Sequence, residues 1–296
     1  VNENKIDNFV FTSIKSKTLV MTKLLTLTFL LIFAGAQAQQ SCCSSATTEF
    51  ADLGKDTRFM MEHQLPKASL VANQSGEMIE FPAGSKAGNA YLVNSLNPSN
   101  IYLFVFHEWW GLNDHIKAEA DKWSESLPGV QVMAIDLYDG KSASTREGAS
   151  ELMQGADENR IREIINGAMS YAGSDAEFAT IGWCFGGGWS MQAAIMMADR
   201  ATACVIYYGM PEKSVDKLKD LNAPVLGIFA EKDQWINRAA IAEYEKSMTA
   251  AGKKFESVWF DADHAFANPS NAIFDEKAAG EANKKVLSFL YGNLIR

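Results

Sequence analysis

From Glu77 onward, short apolar runs alternate with longer stretches whose apolar residues recur every three or four positions. The short runs are Met78–Phe81, Ala90–Val93, Ile101–Phe106, Val130–Ile135, Phe178–Gly182, Ala203–Tyr208, Val225–Ala230 and Ser257–Phe260. Their length and their β-branched and aromatic content predict strands. Helical spacing falls on Asp114–Ser126, Glu158–Tyr171, Gly187–Asp199, Ile236–Ala250 and Phe274–Leu290. Strand and helix in alternation predict an α/β fold, a mostly parallel central sheet with helices on both faces. The first two strands have no helix between them and are expected to pair as an antiparallel hairpin. Residues 39–75 are mixed and polar, without strong periodicity. With no internal repeat and no low-complexity linker, the chain reads as one domain over 77–296, preceded by an N-terminal segment at 39–76.

The first 38 residues follow another pattern. Lys15, Lys17 and Lys23 precede an apolar run from Leu24 to Ala34, followed by Gly35-Ala36-Gln37-Ala38. A basic start, a short apolar run and an Ala-x-Ala ending predict a secretory signal cut after Ala38, behind an upstream extension. The run is shorter than the ~18 residues of a spanning helix. An exported protein, periplasmic or extracellular and free of the membrane after cleavage, is therefore expected. Met21 directly before the run offers an alternative start to Val1.

At 296 residues and 47% hydrophobic, the chain can bury a full core, and its net charge of −9 advertises no surface for nucleic acid. The four cysteines, Cys42, Cys43, Cys184 and Cys204, are too few for a disulfide framework. Cys42 and Cys43 follow the predicted cleavage point, where an intermolecular bond or a modification is open to them.

The candidate chemistry lies in Gly182-Trp183-Cys184-Phe185-Gly186, at the junction of a predicted strand and a predicted helix. Composition alone would produce Gly-x-Cys-x-Gly about 0.02 times in this chain, so coincidence is a poor account of it. The pattern is the nucleophile elbow of an α/β-hydrolase fold with Cys in place of Ser. A buried structural thiol is the alternative, and it is preferred for Cys204, in mid-strand.

A thiol nucleophile needs a base, and the base an orienting acid. The chain order nucleophile, acid, histidine selects His264. His107 precedes the nucleophile, His115 opens a predicted helix, and His63 lies in the irregular N-terminal part. Asp233, in the loop after Val225–Ala230, is preferred as the acid over Glu231, which is nearer the strand end. Asp261 and Asp263 read as surface charges. Backbone N–H groups of Phe185 and Trp109 are expected to form the oxyanion hole. No ligand-like histidine spacing and no P-loop lysine appear, so neither a metal nor a cofactor is expected.

His107-Glu108-Trp109-Trp110-Gly111-Leu112-Asn113, Asp136-Leu137-Tyr138, the elbow, Tyr207-Tyr208-Gly209, Asp233 and His264-Ala265-Phe266 together resemble the dienelactone hydrolase family, from about Glu77 to the C-terminus. The resemblance implies a Cys184–His264–Asp233 triad that hydrolyses a lactone or ester through an acyl-thioester. It also implies that Glu108 holds the resting thiol and helps to generate the thiolate. Trp110, Tyr208, Asn268 and Arg146 are candidate substrate-binding residues. The family's carboxylate-binding arginine four residues after the histidine is here Asn268, which points to neutral substrates. A thioesterase or acyl transferase, and a non-catalytic ligand-binding protein on the same fold, are the competing readings. A small-molecule substrate is expected in all but the last.

Overall fold

The computed structural model describes residues 45–65 and 74–294. The predicted leader, its cleavage point and Cys42 and Cys43 lie outside the described residues. Eight strands form one sheet: β1 Glu77–Ala83, β2 Lys86–Val93, β3 Ile101–Phe106, β4 Gln131–Ile135, β5 Glu177–Trp183, β6 Ala201–Tyr207, β7 Val225–Ala230 and β8 Phe255–Phe260. Their spatial order is β1-β2-β4-β3-β5-β6-β7-β8. The β1–β2 hairpin is antiparallel, as expected, and β2 also pairs antiparallel with β4. Every pairing from β4 through β3 to β8 is parallel.

The helices are α1 Ala46–Asp52, α2 Thr57–Glu62, α3 Asp114–Ser126, α4 Arg146–Gln154, α5 Glu158–Ala172, α6 Phe185–Met197, α7 Val215–Leu218, α8 Arg238–Ala250 and α9 Glu276–Leu294. Among the described residues, no helix is long and apolar enough to cross a membrane. Strands β4, β6 and β7 are buried along their whole length, which is why they read as unbroken apolar runs rather than alternating ones. Helix α6 is likewise buried almost all round, at the centre of the molecule. Its Ala- and Met-rich sequence has no polar face to periodise.

Residues from Ser45 onward form one compact unit. Two short helices therefore occupy a stretch that carried no periodic signal. Both are built from caps: the side chain of Ser45 accepts from Thr48 N–H, and that of Asp56 accepts from Arg58 N–H. At six or seven residues neither has room for a repeating apolar face, and both depend on packing rather than propensity. Phe50 and Phe59 supply it, 1% and 0% exposed. Helix α4 was also missed, because Arg146–Gln154 buries only Ala149, Ser150 and Met153.

Candidate active site

Cys184 sits between β5 and α6 with φ 56° and ψ −119°, a left-handed conformation imposed by a sharp strand-to-helix turn. The flanking glycines are steric requirements. A Cβ on Gly182 would run into the Gly186 carbonyl, and one on Gly186 into the carbonyls of Phe106 and His107. Those contacts bring the loop after β3, with Glu108 and Trp109, against the elbow. The turn is fixed further by Cys184 N–H donating to the Tyr207 carbonyl at 3.0 Å.

The loops after β7 and β8 bring two more of the expected residues together. His264 Nδ1–H donates to Asp233 Oδ2 at 2.5 Å, both side chains buried. Asp233 Oδ1 accepts from the N–H groups of Trp235 and Ile236, both at 2.9 Å, so its orientation is locked by its own loop. Burial opposes the Asp233 charge, but His264 and these donors hold its carboxyl below the usual range. Burial also opposes the His264 charge, yet Asp233 and the neighbouring sulfur carry its pKa well above the ordinary value. Glu231 instead pairs with Arg238 at the surface, and Asp261 with Lys232.

The thiol itself is 0% exposed. Burial raises its pKa, while hydrogen bonding and the charge of His264 act in the opposite sense. A second partner is one the sequence did not single out. His63, at the end of α2, places Nε2 3.7 Å from Cys184 Sγ. Its Nδ1–H donates to the Phe59 carbonyl at 2.7 Å. Burial and the neighbouring His264 push its pKa down to about 3, so the ring is neutral at physiological pH. His63 is packed among aromatic rings, 4.2 Å from Phe59, 4.6 Å from Trp109 and 5.0 Å from His264 between centroids. Phe59 in turn contacts Trp109, Trp235 and His264. Helices α1 and α2 thus roof Cys184. The four-residue spacing of Phe59 and His63, which puts both on one helix face, was the sole trace of this in the sequence.

Three expectations change accordingly. Arg146 does not stand ready for a substrate carboxylate: its Nε–H donates to the His63 carbonyl at 2.7 Å, tying α4 to the roof. Asn268 is engaged within the protein. Its amide donates to Glu108 Oε2, and its Oδ1 accepts from Ser270 N–H and Oγ–H. The carboxyl of Glu108 therefore bonds Asn268 rather than the thiol, which has His63 beside it. Burial raises Glu108 to about 7, with the Asn268 amide and Tyr208 working against that rise. Glu108 still acts on the thiol through its charge.

The remaining candidates have simpler placements. Trp110 is buried edge-to-face on Trp109, and Tyr208 is buried with its ring 5.0 Å from His264. Phe185 N–H lies beside the sulfur, where it favours the thiolate. His107 is structural: its Nδ1–H donates to the Glu108 carbonyl and its Nε2 accepts from Leu137 N–H. Cys204 is a buried strand thiol against Ser190 Oγ at 3.7 Å, with its pKa pushed up to about 11 by burial. A narrow cleft opens beside the site, lined by Glu108, His115, Glu119, Trp183 and Asn268 among others. It reaches Glu108 and Asn268 but is not lined by Cys184.

Comparison with known proteins gives the family. The model of the dienelactone hydrolase family matches residues 89–293. Protein usf of Aquifex pyrophilus is 28% identical over 229 residues, covering 72% of this chain and 97% of the relative. A carboxymethylenebutenolidase of Pseudomonas putida is 25% identical over 225 residues, covering 73% and 90% respectively. Among solved structures, a dienelactone hydrolase-like promiscuous phosphotriesterase from metagenomic libraries superposes with a TM-score of 0.64, covering 74% of this chain and 99% of that one. At 18% identity that likeness speaks for the α/β-hydrolase fold alone. The elbow, the buried His264–Asp233 pair and the match over most of the sheet lead to one conclusion: the chain belongs to the dienelactone hydrolase family and is a hydrolase of lactone or ester bonds.

Proposed function

We propose that this protein hydrolyses a neutral lactone or carboxylic ester through a Cys184–His264–Asp233 triad and an acyl-thioester intermediate. The observation that carries the reading is the buried His264 Nδ1–Asp233 Oδ2 bond at 2.5 Å beside a cysteine held at φ 56° on the elbow. Asp233 fixes the imidazole tautomer so that Nε2 faces the sulfur and stabilises its protonated form. His264 takes the thiol proton, and the thiolate attacks the carbonyl carbon. The oxyanion forms near the N–H groups of Phe185 and Trp109. Collapse expels the alkoxide, which takes the proton from His264. In a lactone the alkoxide stays tethered to the acyl group. Water, deprotonated by His264, then cleaves the thioester and restores the thiol.

Glu108 contributes through its charge state. Neutral, it leaves the thiol undisturbed; ionised, it raises the thiol pKa through repulsion. A neutral substrate is favoured because Asn268, already committed to Glu108 and Ser270, offers no cation to a carboxylate. The same chemistry serves a thioesterase, and a panel of lactones, aryl esters and thioesters separates the two. Cys184→Ala is expected to abolish turnover of the preferred substrate and to remove the acyl adduct seen by intact mass under rapid quench. Turnover within a few-fold of the parent would rule out this thiol as nucleophile. We further propose export of the mature chain, on the leader pattern of residues 15–38. N-terminal sequencing of protein recovered from cells tests it, and a mature start upstream of Ala38 would refute it.

A further inference from the structure

We propose that His63, Cys184 and His264 form a binding site for one divalent cation of the zinc class, taken up as the site releases its proton to solvent. The three ligand atoms lie within 4.8 Å of one another and all three residues are buried. The argument begins with a count of protons. His63 spends its Nδ1–H on the Phe59 carbonyl, and His264 spends its own on Asp233. Each ring therefore turns Nε2 toward the same sulfur, and one thiol proton is available to two acceptors. If the thiol donates to His63, His264 Nε2 is left without a partner, as it is among the described residues. If the proton moves to His264, the lone pair of His63 faces a thiolate. With His264 neutral, either placement of the one thiol proton leaves a buried nitrogen unsatisfied.

One cation satisfies all three atoms together. A tetrahedral zinc ion with bonds of about 2.3 Å to sulfur and 2.0–2.1 Å to nitrogen sets S···N at about 3.5 Å. Cys184 Sγ and His63 Nε2 are 3.7 Å apart. Both imidazoles also have the outer-shell anchoring of metal ligands, one on a main-chain carbonyl and one on a carboxylate. The thiolate and Asp233 together offset the two positive charges, so no net charge is buried by the exchange. One thiolate and two imidazoles select a borderline-soft metal and disfavour magnesium or calcium. The ligands come from positions 63, 184 and 264, too far apart for any spacing motif to reveal them. Metal in this site would mask the nucleophile, a consequence that rests on the triad reading; the binding itself does not.

Cobalt(II) titration of the full chain carrying Cys42→Ser and Cys43→Ser tests the site directly. The expected result is one ion per chain with a sulfur-to-cobalt charge-transfer band and tetrahedral ligand-field bands. Proton release should accompany each ion bound, and zinc should displace the cobalt. Cys184→Ala is expected to remove the band. His63→Ala should weaken cobalt binding by more than about a hundredfold, since loss of even an outer-shell partner costs ten- to a hundredfold. Should His63→Ala fail to fold, protection of Cys184 from iodoacetamide by zinc, reversed by chelator, gives a second readout. Absence of the band, a band of equal strength in His63→Ala, or no protection by zinc would each overturn the proposal. A protein that binds cobalt in this way but hydrolyses no ester or thioester would overturn the triad reading alone.

Discussion

Glu108 is the residue whose titration has the clearest consequence. Burial raises its carboxyl from an ordinary 4.5 to about 7. Between those values the folded protein holds a proton that the unfolded chain has already lost. Unfolding free energy therefore falls as pH rises through this window, and the full penalty is present above about 7. At 1.36 kcal/mol per unit the penalty reaches about 3 kcal/mol. Glu108→Gln keeps an acceptor for Asn268 and removes the titration. It is expected to flatten the stability profile, with a gain over the parent at pH 8 that vanishes by pH 5, measured by urea unfolding. A parallel profile in the two proteins would mean that Glu108 ionises freely. Residues such as Cys184, His264 and Asp233 were legible in the sequence because steric and chain-order rules bind them to fixed places on the fold. His63 was not, because its place depends on the docking of a segment without periodicity of its own.

At the scale of elements, strands β3 and β7 have the very bounds their apolar runs announced, and the other strands differ by a few residues at their ends. The β1–β2 hairpin was also legible, from the missing helix between its strands. The N-terminal helices α1 and α2 were not, although they cover Cys184. Their hold is a small aromatic cluster centred on Phe59, which contacts Phe50, Trp109 and Trp235. Phe59→Ala removes that centre, a change that typically costs about 3–5 kcal/mol. Much of the loss should fall on the docking of this roof rather than on the sheet. Alkylation of Cys184 by iodoacetamide, which tracks the population of the open form, is expected to accelerate at least tenfold. The global urea midpoint should move less than the labelling rate implies. An unchanged labelling rate would show that reagent reaches the thiol without disturbing α2.

The whole molecule bears a net charge of −9. Such a field disfavours the approach of anions, and salt screens it over a Debye length of about 10 Å at 0.1 M. A carboxylated lactone is therefore expected to show a lower kcat/KM than its methyl ester at low ionic strength. The gap should narrow as salt rises from about 0.02 to 0.5 M. The methyl ester itself should respond little. A preference for the carboxylated form at low salt would point to a local cation that overrides the global field.

The roof also ties the covering of Cys184 to residues far apart in the chain. Phe59 emerges early in synthesis, but its partners Trp235 and His264 are made roughly two hundred residues later. Contacts of such long sequence separation form late, after the intervening loops have been closed. A nascent or truncated chain that stops before β8 can build the elbow, since β3, β5, α6 and β6 precede it, yet it lacks His264, against which Phe59 and His63 both pack. Part of the cover over its thiol is missing until His264 is in place. In this protein the N-terminal roof and the loop after the last strand together put the sulfur out of reach.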